Sequence, residues 1–469
     1  MTAPSSDIYQ MQIQNPHAEM PLIIPVLVLC NTPDEELHAN IRRNSALPLG
    51  WVKFEAPHAQ VAVLVGGGPS LAEHLDEIRA LVEDGAVIFA MNAASRYLSE
   101  NGIAVDYQVM ADAKPETSSL VDPLAHRHLV ASQVDYSTIE AIAALGIPPT
   151  LWHLAIEDME GLFPDKIGWR GGYALVGGGA SVGNSALCLA YVLGFRTLHC
   201  FGYDSSHRGN ESHAYSQPMN QLIPTLAVEW AGESYTVSVA MKAQAEKFQI
   251  TAQALKQEGC AITVHGDGLL PAMFNTPPVN LTERDKYRLM WQFDGYRDVS
   301  PGEGIVPLFL EIARPKGLIV DFGCGTGRAS LALRKAGHDV FLVDFADNCR
   351  DDEARELPFL EWDLTRPMPM RAPFGLCTDV MEHIPTDDVP TVLANIMDVA
   401  GSVFFQISTI QDKFGDVIHQ RLHCTVRPHA WWAEQFRSIG AEIAWEQPGQ
   451  IASCFLVNRT VSETTRNIQ

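Results

Sequence analysis

Short apolar runs alternate with helix-period stretches along almost the whole chain. From Val61 to about Phe274 the runs are VAVLV (Val61–Val65), VIFAM (Val87–Met91), YQVMA (Tyr107–Ala111), HLVAS (His128–Ser132), LWHLAI (Leu151–Ile156), YALV (Tyr173–Val176) and TLHCF (Thr197–Phe201). A later unit adds YTVSV, a helix from about Met241 to Gln257, and AITVH. Runs this short, separated by helical segments, predict an α/β fold with a mostly parallel sheet. Upstream, PLIIPVLVLC (Pro21–Cys30) predicts a first strand, and the polar residues up to about Ala18 predict a loose segment. NTPDEELHANIRRN (Asn31–Asn44) predicts a helix capped by Asn31 or Thr32, with Pro33 in its first turn and acids near its start.

The alternation resumes after the turn-rich NTPPVNLT (Asn275–Thr282). A helix over Glu283–Asp294 leads into LIVDFGCGTGRASLALRKAGHDVFLVD (Leu318–Asp344), which reads as strand, glycine turn, helix, strand. The pattern predicts two Rossmann-like, doubly wound α/β domains in tandem, at 27–274 and 283–469, with a loose segment (1–26) before them and a linker (275–282) between.

The chemistry is most legible in the second half. Asp321 ends one apolar run, Gly323, Gly325 and Gly327 follow at alternate positions, and Asp344 ends the next run. An acid about 20 residues beyond the glycine turn can accept both hydroxyls of a ribose. Glycines let a ligand lie against bare main chain. GCGTGR lacks the G-x-G-x-x-G spacing that sets a helix N-terminus on a pyrophosphate, so a ligand without phosphates fits better. The stretch resembles motif I of class I S-adenosylmethionine-dependent methyltransferases, and the resemblance extends over roughly Tyr287–Asn458. It implies that S-adenosylmethionine is the cofactor, with Asp321, Gly323, Cys324, Gly325 and Gly327 forming its turn and Asp344 holding the ribose. Asp363, in FLEWDL, matches the acid or amide that contacts the adenine amino group. Asp379, in FGLCTDVMEHIP, closes the fourth strand beside the loop Val380–His383, and the resemblance implies that it too borders the cofactor. Tyr287, Met290, Trp291 and Tyr296 are placed to form an apolar lid.

An acceptor that is already nucleophilic needs alignment more than acid–base help, whereas an alcohol needs a general base. His383, at a strand's carboxyl end, and His419 and His423, in DVIHQRLHCTV, are the candidates. On a helix the last two would share a face, as in a metal pair, yet no nearby Cys or Glu completes a tetrahedral set. Cofactor binding is therefore expected to need no metal. Trp431 and Trp432 read as packing for a core helix, with acceptor stacking as the alternative. No NPPY tetrapeptide follows the fourth strand, which argues against methylation of base amino groups.

In the first half, Val61–Val65 runs into Gly66-Gly67-Gly68-Pro69-Ser70, and a second glycine loop, Gly177–Gly179 with Ser181, precedes the helical SALCLAYVLG. Glycine loops at carboxyl strand ends suit nucleotide phosphates, although tight βα turns use the same residues. Asp112 and Asp204 sit at other strand ends, where carboxylates could hold Mg²⁺ against phosphates or simply cap turns. Asn92 closes VIFAM, and His207 and His213 lie in a polar loop. GGGPSL, FAMNAA, VDYQVMAD, GGGASVGNSALCLAYVLGF, FGYDSS and SHAY, in this order, resemble the 6-hydroxymethylpterin pyrophosphokinase MptE-like family, which includes the motility-associated Maf proteins. The resemblance covers about Leu27–Phe274. It implies pyrophosphate transfer from ATP or sugar transfer from an activated nucleotide, at a site of Gly67, Gly68, Ser70, Asn92, Asp112, Ser181 and Asp204. The combined architecture resembles fusion proteins of bacteriophages.

Composition narrows the partners. The formal charge of −23 weighs against duplex nucleic acid or a membrane surface, which need a positive footprint. Nine scattered cysteines without a CxxC pair predict free thiols in a reducing compartment. The Pro21–Cys30 run is far short of the ~20 residues of a spanning helix, so a cytoplasmic protein is expected. The sequence leaves three readings open: a bifunctional enzyme acting on a small-molecule or sugar- or nucleotide-linked acceptor, a methyltransferase whose first domain only binds such an acceptor, and an assembly protein retaining cofactor folds.

Overall fold

The computed structural model describes residues 9–13, 22–26, 32–155, 174–178, 181–216, 223–278, 281–299 and 301–460. Asn31, Ile156, Tyr173 and Gly179 lie outside the described residues. The chain divides into two compact units with the break at residue 278.

The first unit is built on a nine-stranded sheet. Its order is Ala261–Val264, Phe195–Phe201, His58–Val65, Val87–Met91, Tyr107–Met110, Arg127–Ala131, Thr150–Leu154 and Gly50–Trp51, with Leu175–Val176 as a further partner of Thr150–Leu154. Every pairing is parallel. Such strands are covered on both faces, which is why VAVLV and VIFAM read as unbroken apolar runs. Strand order runs outward from His58–Val65, then returns to its other side at Phe195–Phe201. The switch point between those two strands carries the first glycine loop and Asp204.

Three expectations in this unit are corrected. Leu22–Val26 is a strand, but it pairs antiparallel with Tyr9–Ile13 outside the main sheet, so the segment before Ala18 contains a strand of its own. Pairing with an apolar neighbour supplies what composition alone did not suggest. YTVSV belongs to Glu233–Ser238, which forms an antiparallel hairpin with Thr225–Trp230. Ala231 and Gly232 both have positive φ, the primed turn that two-residue hairpins require. The helix Asp34–Ser45 has Pro33 at its N-cap position and no side-chain cap bond.

The second unit holds a seven-stranded sheet in the order Phe359–Glu361, Val340–Asp344, Ile319–Phe322, Ala372–Thr378, Ala400–Ser408, Ala452–Asn458 and Glu442–Gln447. The first five are parallel; Ala452–Asn458 runs antiparallel between Ala400–Ser408 and Glu442–Gln447, which returns to the common direction. One core joins Val320, Phe322, Phe405, Phe436 and Phe455, with Trp432 fully buried in it and Trp431 packed at its edge. Both units are thus α/β with parallel sheets. Among the described residues eight cysteines are free, and no helix is long and apolar enough to cross a membrane.

Candidate functional site

In the second unit the switch point lies between Ile319–Phe322 and Ala372–Thr378. Ile319–Phe322 is buried throughout and ends at the glycine turn. Asp321 is 2% exposed and accepts a 2.6 Å hydrogen bond from Ser330 Oγ, tying the strand to the helix Arg328–Lys335. Burial pushes its carboxyl up to about 6. Asp321 therefore serves the turn's architecture. Gly323 and Gly325 have φ of +70° and +49°. A Cβ on Gly323 would meet Val380 Cγ2 at 2.4 Å, and one on Gly325 would meet the Trp291 ring at 2.9 Å. The turn needs glycine for conformation and for room.

Asp344 closes on this turn from the neighbouring strand. Its Oδ2 accepts from Gly325 N at 3.0 Å and its Oδ1 from Ala346 N at 2.9 Å. Burial pushes this carboxyl up to about 6 as well. A carboxylate has about four acceptor sites, so capacity remains for ribose hydroxyls. Cys324, in the turn, is buried, and burial raises its thiol, which makes it inert packing. Trp291 follows the helix Glu283–Met290, which Thr282 caps by accepting from Asp285 N. Arg297 fixes this segment to the loop after Asp344, donating to Asn348 O at 3.2 Å and to Asp351 at 2.6 Å. Arg328 reaches the other oxygen of Asp351 at 2.8 Å.

The carboxyl end of Ala372–Thr378 is more heavily acidic than the sequence suggested. Asp379 follows the strand Ala372–Thr378 with φ +55°, and Gln406 Nε2 donates to it at 2.8 Å. Burial pushes Asp379 up to about 7. Glu382 is fully buried beside it; burial, then the Asp379 charge, raises its carboxyl well above the ordinary range. Both carboxyls are thus held toward their protonated forms by burial. Ser408 N donates to Glu382 Oε1 at 3.0 Å. Glu382 and Gln406 were missed by the sequence reading, although Glu382 adjoins His383 in DVMEHIP.

The three histidines separate in role. His383 Nδ1 lies 2.6 Å from Tyr287 Oη and 3.3 Å from Leu422 O, and burial lowers its pKa to about 3. A ring so held is a weak base, which disfavours His383 as the proton acceptor. His423 Nδ1 lies 2.7 Å from Ile410 O. A carbonyl only accepts, so Nδ1 carries the proton and Nε2 is left as acceptor. The His383 and His423 rings meet edge-on at 4.7 Å. His419 follows the short turn Phe414–Ile418 with φ +52°, and no helix spans His419–His423, so the shared helix face is not formed. Glu382, His383 and His423 do bring ligating atoms within 4.8 Å of one another; His419 is not in that group. Asp363 accepts from Thr365 N and Oγ1 at 2.9 and 2.8 Å, stabilising its own turn.

In the first unit the glycines are filled by protein. A Cβ on Gly67 would meet the Tyr215 hydroxyl and His213, and one on Gly68 would meet Asp204 Oδ2 at 2.1 Å. Asp204 is 2% exposed and accepts from Ser70 N at 3.0 Å. Asp112 accepts from Lys114 N at 3.1 Å. Its strand stands three places along the sheet from that of Asp204, roughly 14 Å at the usual strand spacing. The two carboxylates thus follow strands that are not neighbours in the sheet. Tyr203, missed by the sequence reading, packs against Gly66 of the first glycine loop and against Gly183 in the first turn of the helix Val182–Val192. Ser181 caps the helix Val182–Val192, accepting from Asn184 N at 3.1 Å. Asn92 has φ +48°, and its buried Oδ1 has no hydrogen-bond partner among the described residues.

Residues 38–210 match the family model of 6-hydroxymethylpterin diphosphokinase MptE-like proteins. No curated protein matches the chain by sequence. Among solved structures, a Maf glycosyltransferase from Magnetospirillum magneticum is similar over 52% of this chain at 19% identity and a TM-score of 0.39; the match spans 38% of that chain. Magnesium protoporphyrin IX methyltransferase from Synechocystis, with bound S-adenosylhomocysteine, is similar over 38% of this chain and 93% of its own at 17% identity and a TM-score of 0.30. A Burkholderia thailandensis 1,6-didemethyltoxoflavin-N1-methyltransferase covers 39% of this chain and 94% of its own at 18% identity and a TM-score of 0.31.

Proposed function

We propose that the second unit is an S-adenosylmethionine-dependent methyltransferase acting on a small-molecule or sugar- or nucleotide-linked acceptor. The observation that carries this reading is the glycine turn clamped by Asp344, a carboxylate with acceptor capacity left for a ribose. Bound there, S-adenosylmethionine supplies an electrophilic methyl group on a sulfonium. The protein's part is to align the acceptor with that methyl and exclude water. Trp291 covers Gly325, Tyr287 and His383 shape the acceptor wall, and His423 Nε2 takes the proton of a hydroxyl acceptor. His419 and Asp363 keep only secondary roles in this scheme. Calorimetric titration of S-adenosylmethionine into the full chain tests the assignment; absence of binding overturns it.

For the first unit we infer a nucleotide-linked ligand held around Asn92, Asp112 and Ser181. The filling of the first glycine loop by Tyr215, His213 and Asp204 favours a binding role over phosphoryl or glycosyl transfer. Nucleoside diphosphates, triphosphates and nucleotide sugars at millimolar concentration should raise the melting temperature. If none does, this unit is structural. The candidate phosphate contacts Gly67, Gly68 and Ser70 would then serve packing alone.

A further inference from the structure

Apart from both candidate sites, the first unit gathers imidazoles around one carboxylate. His74 stands where the turn Pro69–Glu73 passes into the helix Leu75–Glu83, and Glu77 lies three residues on, on the same helix face. His265 directly follows the edge strand Ala261–Val264, and His199 lies in the neighbouring strand Phe195–Phe201. Glu77 Oε2 is 3.0 Å from His74 Nδ1, and Glu77 Oε1 is 3.1 Å from His265 Nδ1. One ligating atom from each of the three lies within 4.8 Å of the other two. A tetrahedral ion with bonds of about 2.0–2.1 Å sets neighbouring ligands about 3.3 Å apart; each imidazole lies near that spacing from one of the two Glu77 oxygens, and a small side-chain rotation would bring one oxygen to both.

The surroundings suit a metal as well. His265 Nε2 lies 3.1 Å from His199 Nδ1, and the Phe201 ring stacks on His265 with centroids 3.9 Å apart. A ligating imidazole is oriented in this way through its second nitrogen. The side chains of His74, His265 and Glu77 are 24%, 14% and 46% exposed, so an ion can reach them from water.

We propose that His74, Glu77 and His265 form a site for one divalent transition-metal ion, Zn²⁺ in the first instance, with water as the fourth ligand and His199 positioning His265. Two imidazoles and one carboxylate favour such an ion over Mg²⁺ or Ca²⁺, which prefer oxygen. The ion would tie the edge strand to the helix Leu75–Glu83. It would do so beside Gly266, which packs on Ser70 and Asp204.

The test uses the full chain, stripped with a chelator and titrated with Co²⁺ as a spectroscopic probe. One equivalent should develop the intense visible absorption of tetrahedral Co²⁺, which Zn²⁺ should remove and Mg²⁺ should not. Glu77→Gln and His265→Gln should each abolish the signal. His199→Gln should weaken binding about tenfold, the scale of an outer-shell partner. Glu382→Gln and His423→Gln, in the other cluster, should leave the signal intact. Circular dichroism checks that each variant folds, and His74→Ala replaces any that does not. No tetrahedral signal in the native chain, a signal kept in both Glu77→Gln and His265→Gln, or a signal lost only with Glu382 or His423 would each overturn the proposal.

Discussion

Asp344 and Asp321 show how two buried acids of one motif divide the work. Asp344 clamps the glycine turn and retains acceptor capacity; Asp321 is spent on Ser330. Asp344→Ala should weaken S-adenosylmethionine binding by about 2–3 kcal/mol, the scale of charge-assisted bonds, as read by calorimetry. The pH dependence follows from the raised carboxyls, both at about 6. Ribose hydroxyls donate best to the ionised form, so affinity should fall as pH drops through about 6, and Asp344→Asn should flatten that profile. Stability runs the other way. The folded state holds these protons more tightly than the unfolded chain, so their contribution is present at low pH and lost as pH rises through about 6. Ser330→Ala removes the donor that stabilises ionised Asp321. It should cost about 1–3 kcal/mol, more at pH 8 than at pH 5; an equal loss at both would show that Asp321 stays neutral.

At the scale of elements, the glycine turn and the segment over it act together. Gly325→Ala adds a Cβ against Trp291 in a left-handed conformation. It should cost about 1–3 kcal/mol of stability, as residues forced into that region do, and remove cofactor binding. Trp291→Ala relieves the contact but uncovers the turn. The double variant Gly325→Ala/Trp291→Ala should therefore recover stability without recovering affinity. Recovery of both, measured by melting and calorimetry, would mean that Trp291 is not a lid. The N-terminal glycine loop obeys a different constraint. Gly67 and Gly68 are required because Tyr215, His213 and Asp204 pack onto them, so GGGPS is as much a packing signature as a phosphate one.

For the whole molecule, the break at residue 278 falls in proline-containing, polar sequence. A fragment starting near Leu281 should fold and bind S-adenosylmethionine. One starting near Lys316 loses Trp291, Tyr287 and the Arg297–Asp351 tie, and should bind poorly or aggregate. Equal behaviour of the two, in melting and calorimetry, would reduce Glu283–Asp298 to a linker.

What the sequence determined is what local pattern encodes. Buried parallel strands read as continuous apolar runs, so VIFAM and the Leu318–Val320 run are legible from pattern alone, and the strand–glycine turn–helix–strand–acid order of Leu318–Asp344 follows from backbone needs that glycine meets. Tertiary structure decided everything that depends on residues distant in the chain. Pairing with Leu22–Val26 makes Tyr9–Ile13 a strand, and hairpin geometry takes Glu233–Ser238 out of the parallel sheet. Strand order sets Asp112 and Asp204 after strands three places apart in the sheet. Burial beside Tyr287 weakens His383 as a base, and a carbonyl from Ile410 leaves His423 with a bare Nε2. Spacing fixes which residues share an element; desolvation and partners across elements set protonation and role, and those exist only once the chain has folded.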